Sequence, residues 1–266
     1  MSNFNICELN SIHEVIDKLS KRALLITPNI RMADYFKNEY NQSQIKQGNK
    51  TWESPLIFSF GSFLQNTWRQ IYQQSSKQLP TLLNDFQATC LWSEVIESDH
   101  LDFFNQEGLV TNAKGAWKIC QHWNIEINQH DFSYNVDSAQ FFTWVNLYQQ
   151  KLMALNVFDD ALLIKEIIKN LNDFSFPYSQ IILSGFDEIY PKMQDLFNEL
   201  SGTDFFKFEI SIKHNKLYQH RATTDLLEIT NCINWIKAQD LQNNNIICVV
   251  PSLHLKSDQF SREFNK

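Results

Sequence analysis

Glycine is scarce in this chain of 266 residues, which contains only six glycines and six prolines. The phosphate-binding loops of nucleotide-dependent enzymes need glycines two to five residues apart, because backbone N–H groups must approach the phosphates closely. No two glycines have that spacing. The nearest segment, Gly48-Asn49-Lys50-Thr51, lacks the first glycine and follows a polar stretch, so we interpret it as a surface loop. We therefore expect no cofactor, and in particular neither ATP nor Mg²⁺.

Clustered metal ligands and nucleophile motifs are also missing. The five cysteines occur at positions 7, 90, 120, 232 and 248, no pair closer than sixteen residues, and no histidines have the HxxxH or HExxH spacing. Zinc and redox sites require such patterns. We predict no metal site and no nucleophile. The cysteines are expected to be free thiols in a reducing compartment, each a small buried apolar residue.

Long hydrophobic runs are absent. No run of eighteen apolar residues occurs, which argues against a transmembrane helix. The first twenty residues carry Glu8, Glu14, Asp17 and Lys18, a pattern typical of neither a signal peptide nor an arginine-rich transit sequence. We expect a cytoplasmic protein with no membrane partner.

Positively charged residues are outnumbered, since the chain has 23 Lys and Arg residues and 30 Asp and Glu residues, which gives a formal net charge of −7. A protein that binds nucleic acid mainly by neutralising phosphates is basic, so this balance argues against a strong stand-alone binder. The one basic cluster in the sequence comprises Lys207, Lys213, Lys216 and Arg221. It would suit a phosphate backbone, but a solvated strand and loop is the simpler interpretation.

Hydrophobic residues, by contrast, make up 43% of the chain, enough for a large core. Short apolar runs bounded by turn residues predict strands. The predicted strands are 23–27, 56–60, 179–184, 205–212 and 246–250. We expect residues 23–27, 181–184 and 246–250 to be central strands of one parallel sheet.

Helical periodicity marks segments on both sides of these strands and a long block between them. The predicted helices are 11–19, 31–40, 62–72, 84–98, 112–123, 138–155, 159–171, 192–200, 224–239 and 253–264. Those between 62 and 172 are expected to form a bundle inserted into an α/β fold, a helical lobe separate from the sheet. Its aromatic residues are predicted as core rather than as a base-stacking platform: Trp68, Trp92, Trp117, Trp123 and Trp144. Because the sequence stops inside the last helix, we expect the N-terminal part of a longer protein.

Two acidic residues, Asp187 and Glu188, directly follow the apolar strand 179–184. Nucleotide hydrolases hold an Asp on Mg²⁺ and a Glu that orients water at this position. The alternative is that Gly185 ends the strand and the acids cap the next turn.

A second candidate follows the strand 23–27, where Asn29 and Arg31 come after Pro28. Polar side chains at the carboxyl end of a parallel strand are well placed to bind a phosphate. The alternative is local turn chemistry, with Asn29 capping the next helix.

Several short segments follow one another in the order of one known family. They are LLITPNIR at 24–31, WESP at 52–55, Phe63-Leu64 with Trp68, IILSGFDE at 181–188 with Pro191, and ICVVPSL at 247–253. Together they resemble the N-terminal helicase-like region of AddB/RexB-type helicase–nuclease subunits, and especially a bacterial branch of DNA repair proteins with a PD-(D/E)XK nuclease domain at the far C-terminus. The resemblance spans nearly the whole chain.

The resemblance implies a RecA-like, P-loop NTPase-like core over 1–61 and 173–266, with an inserted helical subdomain (1B-like) at 62–172. By this resemblance, Thr27, Asn29 and Arg31 would correspond to motif Ia of superfamily 1 helicases, the segment that contacts the backbone of single-stranded DNA. Asp187-Glu188 would fall in Walker B. Residues 3–9 occupy the place of the phosphate loop but have neither its glycine nor its Lys-Thr pair.

The resemblance therefore predicts an ATPase-inactive domain of a larger DNA repair and recombination protein, a scaffold for DNA or for a helicase–nuclease partner subunit. The predicted DNA-binding residues are Thr27, Asn29, Arg31, Lys213, Lys216 and Arg221. No residue is expected to be catalytic, and the full-length protein would be the nuclease. Two alternatives remain. One is an active ATP-dependent helicase domain that uses Asp187 and Glu188, and the other is a protein-interaction module unrelated to DNA.

Overall fold

The chain divides into two compact units, Met1–Ile210 and Ser211–Lys266. The structure, a computed structural model, describes residues 6–98, 106–200, 202–210, 219–239, 246–250 and 253–264. Within these residues no helix combines the length and the apolar character that a membrane crossing requires.

A sheet of five parallel strands forms the centre of the first unit. Its strands lie in the spatial order β1 (Ile6–Leu9), β7 (Asp204–Phe208), β6 (Gln180–Ser184), β2 (Leu24–Thr27) and β3 (Ile57–Ser59). Leu25 of β2 pairs with Ile182 of β6 on one side and with Ile57 of β3 on the other. The prediction that 23–27 and 181–184 are central strands of one parallel sheet is confirmed.

Helices cover the sheet, and their bounds agree with the periodicity to within a few residues at most ends. The helices of the first unit are α1 (Ile12–Ser20), α2 (Ile30–Lys46), α3 (Phe60–Gln74), α4 (Asp85–Glu97), α5 (Gln106–His122), α6 (Val136–Leu155), α7 (Leu163–Asn170) and α8 (Pro191–Glu199). Five begin after a side chain that accepts a hydrogen bond from the first turn: Ser11, Asn29, Ser59, Asn84 and Asn135. Such caps satisfy N–H groups that have no partner inside the helix.

The two faces of the sheet bury different helices. On one face, α1 and α2 pack their apolar residues against Leu25 and Ile182. On the other face, α3, α7 and α8 pack against Leu24, Ile26 and Ile181. Because both faces are covered, the central strands are apolar throughout, and every residue of β2 is buried. This is an α/β fold with helices on both sides of a parallel sheet.

The helical block between β3 and β6 contributes to two cores. Helices α4, α5 and α6 share a core of their own that is built around Trp92, Trp117 and Tyr148. Helices α3 and α7 instead belong to the core of the sheet, so the prediction of a helical lobe separate from the sheet is wrong for these two helices. Two short parallel strands, β4 (Thr81–Leu82) and β5 (Val157–Phe158), pair within the block. The division into a core at 1–61 and 173–266 and a subdomain at 62–172 stays a prediction.

The second unit contains α9 (Asp225–Lys237) and α10 (Leu253–Phe264), both close to their predicted bounds. The predicted strand 246–250 is wrong, because this segment has no regular structure and its Ile247 and Val249 are 86% and 84% exposed. An apolar run becomes a strand only where another strand offers unpaired backbone groups. No ladder reaches 246–250 from any other described residue.

Three further predictions need correction. The strand predicted over 205–212 ends at Phe208. Trp123, which follows the end of α5, is 42% exposed and belongs to no core, whereas Trp92, Trp117 and Trp144 lie in the bundle core and Trp68 lies in the core of the sheet. Among the cysteines only Cys120 is buried, whereas Cys7, Cys90 and Cys248 are exposed. All five are free thiols as predicted.

Candidate functional site

The carboxyl ends of β2 and β6 lie side by side, since Ile26 pairs with Leu183 at the end of the ladder. Helix α2 continues from β2 onto one face of the sheet, and α8 follows β6 on the opposite face. Adjacent parallel strands whose connections diverge in this way open a crevice at the sheet edge, where α/β proteins bind ligands. Both sequence-predicted sites therefore belong to the same edge of the sheet.

The turn after β2 is held by its own polar groups. The buried Thr27 donates its hydroxyl hydrogen to the backbone oxygen of Asn29 at 2.9 Å. The Asn29 side chain accepts from the backbone N–H of Met32 at 3.0 Å, which caps α2. The local turn chemistry considered as the alternative is thus present at Thr27 and Asn29. Arg31, in the first turn of α2, is exposed and makes no ion pair with any described residue.

The loop after β6 contacts the turn after β2 through Gly185. This glycine has a φ of +80°, and a Cβ atom placed on it would lie 2.0 Å from Sδ of Met32 and 3.5 Å from Cδ of Pro28. Both the left-handed backbone and the missing side chain are needed there. The close approach of the two loops depends on this residue.

Asp187 and Glu188 are exposed in this loop, and neither carboxylate accepts a hydrogen bond from another described residue. Helix α8 starts at Pro191 after Tyr190, without a side-chain cap. The alternative in which the two acids cap the following turn is therefore wrong. Just before them, the hydroxyl of Ser184 is buried with no hydrogen-bond partner.

The turn between β1 and α1 directly follows residues 3–9, which the resemblance puts in the place of the phosphate loop, and carboxylates surround this turn. Glu14 accepts from the backbone N–H of Asn10 at 3.1 Å and from the hydroxyl of Ser11 at 3.3 Å. A cavity of about 200 Å³ beside this turn is lined by Glu8, Leu9, Asn10, Lys207 and Glu209. Lys207 forms an ion pair with Glu209. The N-terminus of α1 is therefore already occupied by an anionic side chain of the same helix.

Two members of the predicted basic cluster, Lys207 and Arg221, lie among the described residues. Lys207 is paired with Glu209 in the first unit, and Arg221 is exposed in the second unit. Lys213 and Lys216 lie outside the described residues.

A larger cavity of about 670 Å³ opens in the helical block between α4, α5 and the chain that leads into α7. The ammonium group of Lys114 donates hydrogen bonds to the carboxylate of Asp85 at 2.5 Å and to the hydroxyl of Thr89 at 3.0 Å. Lys118 bonds Asp160 at 2.6 Å. This cavity was not predicted from the sequence, although the i,i+4 spacing of Lys114 and Lys118 was a signal that they share one face of α5.

A buried carboxylate, Asp159, lies in the wall of this cavity. Its Oδ2 atom accepts from Nε1 of Trp117 and from the hydroxyl of Tyr148, each at 2.9 Å, and Oδ1 accepts from the N–H of Leu162 at 3.3 Å. Burial raises the pKa of Asp159, and these hydrogen bonds oppose part of that shift. Through these three hydrogen bonds the carboxylate connects α5, α6 and the residue that precedes α7.

An aromatic pair links the helical block to the loop that carries Asp187. The ring of His122, at the end of α5, stacks on Tyr190 with 4.6 Å between the ring centroids. Burial lowers the pKa of His122 to about 4, with a smaller contribution of the same sign from Lys118 and an opposing one from Asp160. The neutral imidazole is therefore the form that stacks on Tyr190 at neutral pH.

Comparison with known proteins adds no family to this geometry. No protein-family model matches the chain, and no curated protein matches it. Among the residues that the structure describes, no three His, Cys, Asp or Glu side chains are grouped as ligands of a metal ion.

Proposed function

We propose that this chain is an ATPase-inactive, helicase-like domain of a larger DNA repair and recombination protein, in which it positions DNA or a helicase–nuclease partner subunit. The observation that carries the proposal is the shared carboxyl edge of β2 and β6. The segment with Arg31 and the segment with Asp187 lie there in contact, at a place where α/β folds bind ligands. A RecA-like organisation of the sheet is part of the proposal.

The surroundings of β1 support the absence of ATP hydrolysis. Phosphoryl transfer needs backbone N–H groups and a lysine around the β- and γ-phosphates. Here Glu14 already takes the N–H of Asn10, and Lys207 is neutralised by Glu209. A triphosphate placed at this turn would meet carboxylates instead of cations, so we expect neither ATP nor Mg²⁺ to bind.

The start of α2 supports a contact with a nucleic-acid backbone. The first N–H groups of a helix have no partner inside it and carry partial positive charge. Asn29 occupies one of these groups, that of Met32, and the exposed Arg31 adds a full positive charge beside the others. This arrangement fits one phosphate of a single strand.

The overall charge limits how tightly the chain binds DNA by itself. With a net charge of −7, binding should remain near the non-specific range, with a dissociation constant on the order of 10⁻⁴ M or weaker at physiological salt. We infer that DNA is held together with other parts of the larger protein or with a partner.

Fluorescence anisotropy with a labelled single-stranded oligonucleotide, across a salt series, tests this contact. Arg31→Gln should remove most of the weak binding and reduce the salt slope by about one. Arg22→Gln is the matched control, because Arg22 is an exposed arginine just before the amino end of β2, and it pairs with Glu53. A sub-micromolar dissociation constant at physiological salt that is insensitive to Arg31→Gln would contradict the proposal.

The main alternative is an active ATP-dependent helicase domain, and one observation favours it. Asp187 and Glu188 are exposed and unpaired among the described residues, as they would be if they awaited a metal and a water molecule. Steady-state phosphate release with and without single-stranded DNA distinguishes the two functions. We expect no turnover, and turnover that Asp187→Ala abolishes would establish the alternative.

A further inference from the structure

Two cysteines of the second unit lie next to each other. Cys232 lies on α9 and Cys248 lies in the apolar segment 246–250, and their sulfur atoms are 3.8 Å apart. A disulfide bond requires a separation of about 2.05 Å, so the two atoms must approach by roughly 1.8 Å. A displacement of this size is within reach of side-chain rotation together with a small shift of the irregular segment.

The exposure of the two thiols differs in a way that suits sequential oxidation. Cys248 is exposed, and its neighbours Ile247 and Val249 leave it open to solvent. Cys232, on α9 itself, is half-buried. Burial, the contact with Cys248 and the charge of Glu228 raise the pKa of Cys232. The thiol of Cys232 therefore stays protonated while Cys248 is the sulfur that a dissolved oxidant reaches first.

We propose that Cys232 and Cys248 are a redox modification site that closes to an intramolecular disulfide when the protein meets a peroxide. In the first step the thiolate of Cys248 attacks one oxygen of hydrogen peroxide, the O–O bond breaks, hydroxide leaves, and Cys248 becomes a sulfenic acid. In the second step the sulfur of Cys232 loses its proton and displaces the hydroxyl group from Cys248, which leaves as water. The two sulfurs lose two electrons in total, and the peroxide gains them.

The disulfide would tie the segment 246–250 to α9. This segment is apolar in sequence but exposed and without regular structure. A covalent link at its centre restricts the conformations that it can adopt. The bond would form whether or not the protein binds DNA, because it depends only on residues of the second unit.

Peptide mapping of the intact chain after peroxide treatment tests the proposal. Trypsin cleaves after Arg221, Lys237 and Lys256, so Cys232 and Cys248 fall on the separate peptides 222–237 and 238–256, each with one cysteine. After free thiols are blocked, the disulfide appears as these two peptides joined, at their summed mass less two hydrogen atoms. We expect roughly tenfold more of this linked pair than of any other cysteine pairing, because no other sulfurs are in contact among the described residues.

Two variants separate the steps, and two serve as controls. In Cys232→Ser the sulfenic acid of Cys248 should persist and be trapped by a dimedone-type reagent, whereas in Cys248→Ser the thiol of Cys232 should stay unreacted at the same dose. Cys7→Ser and Cys90→Ser remove the two other exposed thiols and should leave the linked peptides unchanged. The proposal is overturned if wild-type Cys248 remains a free thiol at peroxide doses that oxidise Cys90, or if other pairings are equally abundant. Mapping of the wild-type chain decides this even where a variant does not fold.

Discussion

The first unit contains two cores of different chemistry. The core around the sheet is almost entirely apolar, and its central strands contribute leucines and isoleucines to both faces. The core of α4, α5 and α6 is arranged around the carboxylate of Asp159 and the indole and phenol groups that bond it. Apolar packing is non-directional, whereas a buried polar network depends on every partner. The two regions should therefore respond differently to substitution and to pH.

The largest expected effect comes from removing the carboxylate of the helical block. Asp159→Ala leaves Nε1 of Trp117 and the hydroxyl of Tyr148 buried without an acceptor, and each such group costs about 1–3 kcal/mol. We expect a loss of about 2–6 kcal/mol in the free energy of unfolding, measured by urea denaturation. Asp160→Ala is the control, because the exposed ion pair of Asp160 with Lys118 is worth less than about 1 kcal/mol. Equal losses in the two variants would contradict the comparison.

The same residue should give the helical block a pH dependence. Burial raises the pKa of Asp159 above 3.8, so the folded protein protonates this group more readily than the unfolded chain does. Stability contributed by Asp159 should therefore increase as the pH falls from the raised pKa to 3.8. The difference in urea midpoint between wild type and Asp159→Asn measures this term, because other carboxylates contribute equally to both proteins. If the urea midpoint of the wild type decreases relative to that of Asp159→Asn as the pH is lowered towards 3.8, this prediction is wrong.

The sheet core should lose stability without a pH signature. Ile182→Ala removes a fully buried side chain from the centre of β6, and substitutions of this kind cost about 2–5 kcal/mol. No titratable group changes, so the loss should be the same at every pH where the protein folds. Ile30→Ala is the control, since Ile30 is exposed and should change stability by less than about 0.5 kcal/mol. Urea denaturation at several pH values tests both statements.

A smaller effect is expected at the edge of the sheet, where two loops touch. Gly185→Ala should cost about 2–3 kcal/mol, because the positive φ strains alanine and Met32 has to move. Gly202 has nearly the same φ, +79°, but open space around it, so Gly202→Ala should cost only about 1 kcal/mol. A double-mutant cycle of Gly185→Ala with Met32→Ala should reveal a coupling of about 1 kcal/mol. No coupling would mean that the loops do not touch in solution.

The smallest expected effect concerns the stacked pair between the helical block and that loop. The pKa of His122 is lowered from 6.5 to about 4, so the folded protein binds fewer protons than the unfolded chain between these values. The contribution of His122 to the free energy of unfolding is therefore fully present above pH 6.5, and it decreases as the pH falls from 6.5 to about 4. His122→Phe retains the stacking but cannot take up a proton, so it should lose less stability on acidification. Because the ring is only half-buried, we expect a difference of about 1–2 kcal/mol near pH 4.

Urea midpoints of the wild type and His122→Phe at neutral and acidic pH measure this difference. His130→Gln is the control, because it removes a histidine from an exposed position. Parallel curves for wild type and His122→Phe would show that His122 titrates normally in the folded protein.

The sequence was sufficient to locate most elements of the first unit. Apolar runs placed β2 and β6, and helical periodicity placed the starts of α1 and α4 to within one residue. The same rule was wrong for 246–250, because an apolar run carries no information about which strand will pair with it. The candidate site was predicted as two separate turns. Their contact through Gly185 and Met32 could not be predicted, because strand order brings together residues more than 150 positions apart.

The sequence by itself determined most of the local elements, the negative charge and the lack of a glycine-rich phosphate-loop motif, since these depend on residue types and short spacings. Only the tertiary structure decided that β2 and β6 are neighbours, that α3 and α7 cover the sheet, and that Asp159 lies at the centre of the helical block. It also decided that Cys232 and Cys248, sixteen residues apart, are in contact. The physical reason is that these contacts join residues that are distant in sequence, so they depend on how the helices and strands pack together. Short-range sequence patterns carry no information about that packing.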